Sequence, residues 1–137
     1  MATKTRRGVE RQGPSGLSMS LGSGPGAAAE ARRAIGKLRA DLDPPLLETL
    51  RLLVTELVTN SVRHTAADSL TLRVAVGESA VLTEVADTGP GFDRKCVERA
   101  GADNTGWGLF LVERLASSWG VKHDTASKRV WFELRRA

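Results

Sequence analysis

At 137 residues the chain has the length of a single domain, enough to bury roughly two-thirds of its unfolded surface and too short for a second core. With 41% hydrophobic and 26% charged residues it reads as a folded globular protein, and no run of about 18 apolar residues marks a membrane span. The net charge of +4 sits mostly at the start, where Lys4, Arg6, Arg7 and Arg11 face only Glu10, so the remainder is nearly neutral and lacks the clustered basic face of a direct nucleic-acid binder.

Residues 1–16 are therefore read as a basic tail, flecked with Gly, Ser and Pro and expected to be disordered, and residues 17–137 as the folded domain. No apolar segment follows the N-terminal charges, so no secretory signal is expected, and the lone Cys96 allows no internal disulfide. Both features point to the cytoplasm.

Residues 17–21 alternate apolar and polar as a short half-buried strand does, and the Gly22-Ser23-Gly24-Pro25-Gly26 run then breaks it. Residues 27–42 predict a helix, with Ala31, Ile35, Leu38 and Leu42 at helical spacing. Asp43-Pro44-Pro45 ends that helix and starts the next one.

That next helix, residues 46–65, gathers Leu46, Leu47, Leu50, Leu53, Val54, Leu57, Val58 and Ser61 on one broad face. Glu56 and Asn60 stand one turn apart at the rim of this face, pointing the same way. Leu52 and Val62 fall on the wet side, against the pattern.

Residues 69–76 and 80–86 read as a hairpin whose second strand runs into Asp87-Thr88-Gly89-Pro90-Gly91-Phe92. The polar stretch 93–105 has the length and the Gly101 hinge of a lid, with Arg94, Lys95 and Arg99 able to meet phosphates. After Gly106-Trp107-Gly108, residues Leu109, Val112, Leu115, Ala116 and Trp119 mark a helix with one buried face, and residues 121–125 and 129–134 predict a closing hairpin around Ala126-Ser127-Lys128. This order predicts an α+β two-layer sandwich with helices on one face of a mainly antiparallel sheet.

Several phosphate-binding patterns are absent. There is no GxxxxGK[ST], Gly89-Pro90-Gly91 is followed by Arg94 and so cannot open a GxGxxG, and there is no HExxH. What remains is a set of parts in fixed order. Glu56 has the chemistry of a general base and Asn60 that of a single oxygen ligand for Mg²⁺. Asp87 offers an acceptor for an exocyclic amine, which favours adenine over guanine. Gly89 and Gly91 permit close backbone approach, and Gly106-Trp107-Gly108 leads into a helix whose free N–H groups suit a phosphate, with the Thr105 hydroxyl beside it. His64 is read as a dipole-compensating or capping residue at its helix end rather than a ligand.

The segments ELVTNSVRH, DTGPGF and GWGLFLVERLASSWGV, in this order, resemble the N, G1 and G2 boxes of the GHKL ATP-binding superfamily. Within it the chain resembles the small bacterial anti-sigma factor serine kinases of the RsbW/SpoIIAB type. The resemblance implies the Bergerat fold and the cofactors ATP and Mg²⁺. It implies Glu56 as catalytic base, Asn60 as Mg²⁺ ligand and Asp87 as the adenine-binding acid. Gly89, Gly91, Thr105, Gly106, Trp107, Gly108 and Leu109 would be the nucleotide-binding loops. It further implies sequestration of a sigma factor and phosphorylation of a serine on a STAS-type anti-anti-sigma partner, with homodimers common in the family. An ATP-dependent module that sequesters without phosphorylating is the alternative. The catalytic domain of a histidine kinase is disfavoured, since no dimerising helical segment precedes the domain and the lid is short.

Overall fold

Alternation with a period of two residues decides the sheet. Leu17, Met19 and Leu21, then Leu70, Leu72, Val74 and Val76, then Val81 and Val85, then Val130, Phe132 and Leu134 are all buried on one side, because successive strand residues point to opposite faces. The structure, a computed structural model, describes residues 9–10, 16–65, 67–88, 109–123 and 127–136. Its elements are β1 (Val9–Glu10), β2 (Gly16–Gly22), α1 (Ala27–Ile35), a 3-10 turn (Gly36–Leu38), α2 (Pro44–His64), β3 (Ser69–Val76), β4 (Ala80–Thr88), α3 (Leu109–Leu115), β5 (Ser118–His123) and β6 (Ser127–Arg135).

The strands form one sheet in the order β1-β2-β3-β4-β6-β5. Every neighbouring pair is antiparallel. Its apolar side packs against the helices in a single core cluster, which is the α+β two-layer sandwich that the sequence predicts. Within the span read as tail, Val9 and Glu10 pair with Met19 and Ser18; the rest of residues 1–15 lies outside the described residues.

Several boundaries differ from expectation. The first helix stops at Ile35 rather than Leu42, and hydrogen bonding tightens to the 3-10 pattern, with Arg39 N–H donating to Gly36 O at 3.3 Å and Asp41 N–H to Leu38 O at 2.8 Å. Leu38 and Leu42 nevertheless reach the core. At Gly36 an added Cβ would lie 2.9 Å from Arg51 Nη2, so α2 crosses closely over this turn. Strand β4 continues through Thr88, which places Asp87 inside the ladder instead of beyond it.

The third helix is only Leu109–Leu115, and Leu115 is 45% exposed rather than buried. Leu109 and Val112 hold its buried face. Ala116 N–H closes on Val112 O, Ser117 N–H then donates to Glu133 O at 2.8 Å, and the chain turns into β5, which takes Trp119 as a strand residue. The last strand begins at Ser127, two residues earlier than predicted, and this moves Lys128 from a turn onto the buried face.

Helix α2 matches its expected face closely. Leu47, Leu50, Leu53, Val54, Leu57, Val58 and Ser61 are buried, while Leu46 and Val62 pack half-buried against the core and Leu52 is exposed. Pro44 and Pro45 occupy its first turn, where no N–H is needed, and Thr55 Oγ1 donates to Arg51 O at 2.8 Å, so this hydroxyl is satisfied within the helix. Arg136 ties the far end of the domain together: its guanidinium donates to Gly77 O and Asp41 O at 2.6 and 2.9 Å. Among the described residues no helix is long and apolar enough to cross a membrane.

Candidate functional site

Helix α2 packs against β4, and near the C-terminal end of the helix His64 feels the charge of Lys128 on β6. Glu56, Asn60 and His64 are spaced at successive turns, so they rise along one side of α2. Glu56 is half-buried, which leaves its carboxylate access to solvent, whereas Asn60 is only 2% exposed.

The Asn60 amide is the anomaly of this helix. Both Oδ1 and Nδ2 are buried and have no hydrogen-bond partner among the described residues. A buried unsatisfied polar group costs about 1–3 kcal/mol, so folding alone does not favour an amide here. An oxygen held in this way fits a hard cation such as Mg²⁺, which takes one or two protein oxygens and completes its octahedron with phosphate and water. Thr83 Oγ1, fully buried on β4, likewise has no partner among the described residues.

On the sheet, Asp87 follows Val81, Thr83 and Val85 on the helix-facing side of β4 and is 5% exposed. Its partner across the ladder is Lys128 of β6, itself 3% exposed, and the Lys128 backbone N–H donates to Asp87 Oδ1 at 3.3 Å. The carboxylate has two oxygens and about four lone-pair sites. One backbone donor leaves acceptor capacity for a ligand.

His64 completes this end of α2. Burial pushes its imidazole below the ordinary histidine value, and the charges of Lys128 and then Arg63 push it further the same way. The neutral ring is therefore favoured. The helix dipole alone would favour the cation, so the dipole-compensating role expected from sequence is overruled by burial and two neighbouring cations. Exposed Arg63 is left to carry positive charge in the last turn of α2.

Leu109 opens α3 and is 1% exposed within the core cluster. Gly89, Gly91, Thr105, Gly106, Trp107 and Gly108, and the lid expected at 93–105, lie outside the described residues. The turn expected at Ala126-Ser127-Lys128 conceals the inward position of Lys128. The signal was present in the alternation of Lys128, Val130, Phe132 and Leu134, which would have placed the lysine inward. A separate groove lined by Arg73, Ala75, Leu82, Glu84, Lys122 and Trp131 lies on the side of the sheet opposite the described helices.

This arrangement of α2 against β4, with an amide and a carboxylate on facing elements, coincides with a family match. Residues 22–134 fit the model of the histidine kinase-like ATPase domain. The chain belongs to that family. It is thus an ATP-binding domain of the GHKL type, as the three boxes suggest.

Solved structures agree on the fold of this GHKL domain. It is similar to the RsbU and RsbW domains of Rv1364c from Mycobacterium tuberculosis at 20% identity and a TM-score of 0.70, over 93% of this chain and 34% of that one. It is also similar to the histidine kinase domain of the blue-light activated histidine kinase from Erythrobacter litoralis EL346, at 20% identity and a TM-score of 0.56, over 79% of this chain and 58% of that one. The chain therefore spans about a third of the first structure and little more than half of the second. None of the curated proteins matches it.

Proposed function

We propose that this GHKL domain is a cytoplasmic, ATP-dependent serine/threonine protein kinase that acts as an anti-sigma factor, holding a sigma factor or phosphorylating a serine of a STAS-type partner. The observation that carries the reading is the buried amide of Asn60, which has no hydrogen-bond partner among the described residues, one turn from the half-exposed Glu56 on the helix that packs against the Asp87 strand. An amide held in this way supports a metal-nucleotide site, and the carboxylate one turn away supports phosphoryl transfer at it. The fold it shares with the RsbW domain of the mycobacterial protein supports the anti-sigma assignment.

In this reading Asp87 accepts from the adenine exocyclic amine, and Asn60 Oδ1 is the protein ligand of Mg²⁺. The cation, when bound, neutralises charge on the phosphates. Glu56 takes the proton from the substrate serine hydroxyl as that oxygen bonds to the γ-phosphorus and the bond from this phosphorus to the β–γ bridging oxygen breaks, releasing ADP; this is the task of a general base within reach of the nucleophile. Gly89, Gly91, Thr105, Gly106, Trp107, Gly108 and Leu109 supply the loops and the helix start around the nucleotide.

The test is phosphoryl transfer from labelled ATP to a purified STAS-type partner, run with wild type and Glu56→Ala. The expected result is transfer by wild type and none by the variant, with ATP affinity within about twofold in both, because a base acts in the transition state rather than in ground-state binding. Wild-type rates in Glu56→Ala would remove Glu56 from the mechanism. Partner capture without transfer by wild type would leave the ATP-dependent sequestering module.

A further inference from the structure

The base-binding end of the site holds a charged group that the reading above does not use. Lys128 is 3% exposed, lies directly across the ladder from Asp87, and shares its helix-facing side. Directly opposed cross-strand residues have Cβ atoms about 4.5–5.5 Å apart, so the two side chains leave the sheet as neighbours. The Lys128 backbone N–H already fixes Asp87 Oδ1 at 3.3 Å. The lysine side chain is directed toward α2, where its charge reaches His64.

An ammonium has three N–H donors, so it can serve a ligand as well as a protein partner. Opposition across the ladder sets a side chain that donates and a side chain that accepts on one wall of the site, each starting from neighbouring Cβ atoms. The Watson–Crick edge of adenine presents the complementary pair on adjacent positions: the exocyclic N6 amine donates and the ring nitrogen N1 accepts.

We propose that Lys128 is a base-reading residue: its ammonium donates to adenine N1 while Asp87 accepts from N6, so the pair reads two adjacent positions of one ring edge. This rests on the assignment of Asp87 to adenine. It assigns to β6 a part in nucleotide selection that neither the glycine boxes nor helix α2 supplies. Hypoxanthine, with a carbonyl at position 6 and an N–H at position 1, inverts both groups and would oppose donor to donor and acceptor to acceptor.

The experiment compares binding of ATP and 1-deaza-ATP, in which N1 is replaced by C–H, by calorimetry in the presence of Mg²⁺. Wild type is expected to bind ATP roughly 10- to 100-fold more tightly, the range of a hydrogen bond to a charged group. Lys128→Met is expected to bind both nucleotides equally, near the wild-type affinity for 1-deaza-ATP. Should thermal melting show that Lys128→Met does not fold, Lys128→Gln takes its place and is expected to show a reduced preference, since a neutral amide is a weaker donor.

Equal binding of the two nucleotides by wild type overturns the proposal, and so does a full preference retained without the lysine. Asp87→Asn separates this failure from that of the parent reading. ATP binding that depends on Asp87 but ignores N1 removes Lys128 alone, whereas ATP binding that ignores Asp87 removes the adenine assignment and the proposal with it.

Discussion

The backbone N–H of Lys128 donates to Oδ1 of Asp87 at 3.3 Å on the buried side of the β4–β6 ladder. Asp87 is thereby oriented by the sheet itself, not by a mobile side chain. Asp87→Asn can keep an oxygen on that N–H, so the fold should persist, but its other atom becomes a donor facing the donor of adenine N6. ATP affinity should fall by about 1.5–3 kcal/mol, a factor of roughly 10 to 100, in a calorimetric titration. Unchanged affinity would refute the adenine assignment.

Asn60 should show the opposite balance between stability and function. Leucine has nearly the shape of asparagine and no polar atoms, so Asn60→Leu relieves two buried atoms that have no partner among the described residues. The ligand-free variant should gain about 1–3 kcal/mol, less any packing misfit, which is roughly 4 °C in melting temperature for each kcal/mol. Its Mg²⁺-dependent enhancement of ATP binding should vanish. A destabilised variant that still responds to Mg²⁺ would show the amide to be structural.

His64 gives the stability a pH dependence of defined sign. Its folded value lies below the ordinary 6.5, with burial the first cause and Lys128 and Arg63 the next. As pH falls below 6.5 the unfolded chain takes up the proton first, so unfolding is favoured, and the loss continues until the lower folded value is passed. Well above 6.5, where the ring is neutral in both states, this group contributes no slope. Urea unfolding from pH 7.5 to 5 should show wild type losing stability on acidification and His64→Gln losing less; parallel curves would count against the assignment.

Gly16 is the one described residue whose backbone demands glycine. Its φ is +134°, and an added Cβ would collide with the carbonyl oxygen of Val74 on β3. Gly16→Ala should therefore destabilise the protein by about 1–3 kcal/mol, seen as a lower urea midpoint at unchanged m-value. A midpoint equal to wild type would mean that the β2–β3 pairing at Ala75 can shift to admit the methyl group.

What the sequence determined by itself is periodic. The face of α2 and the inward set of β3 are visible as spacing, because burial of one side of a helix or strand repeats at 3.6 or 2 residues whatever surrounds it. The pairing of Glu56 with Asn60 on one side of a helix, and the order of the three boxes, are local in the same sense. Tertiary packing decided the rest. The early end of α1, the exposure of Leu115 and the start of β6 at Ser127 depend on neighbours distant in sequence, such as Arg51 over Gly36 and Glu133 receiving Ser117. The juxtaposition of Lys128 with Asp87, 41 residues apart, has no local signature. It exists only because the β4–β6 register sets the two opposite each other, and a shift of that register by one residue would turn the lysine to the opposite face of the sheet.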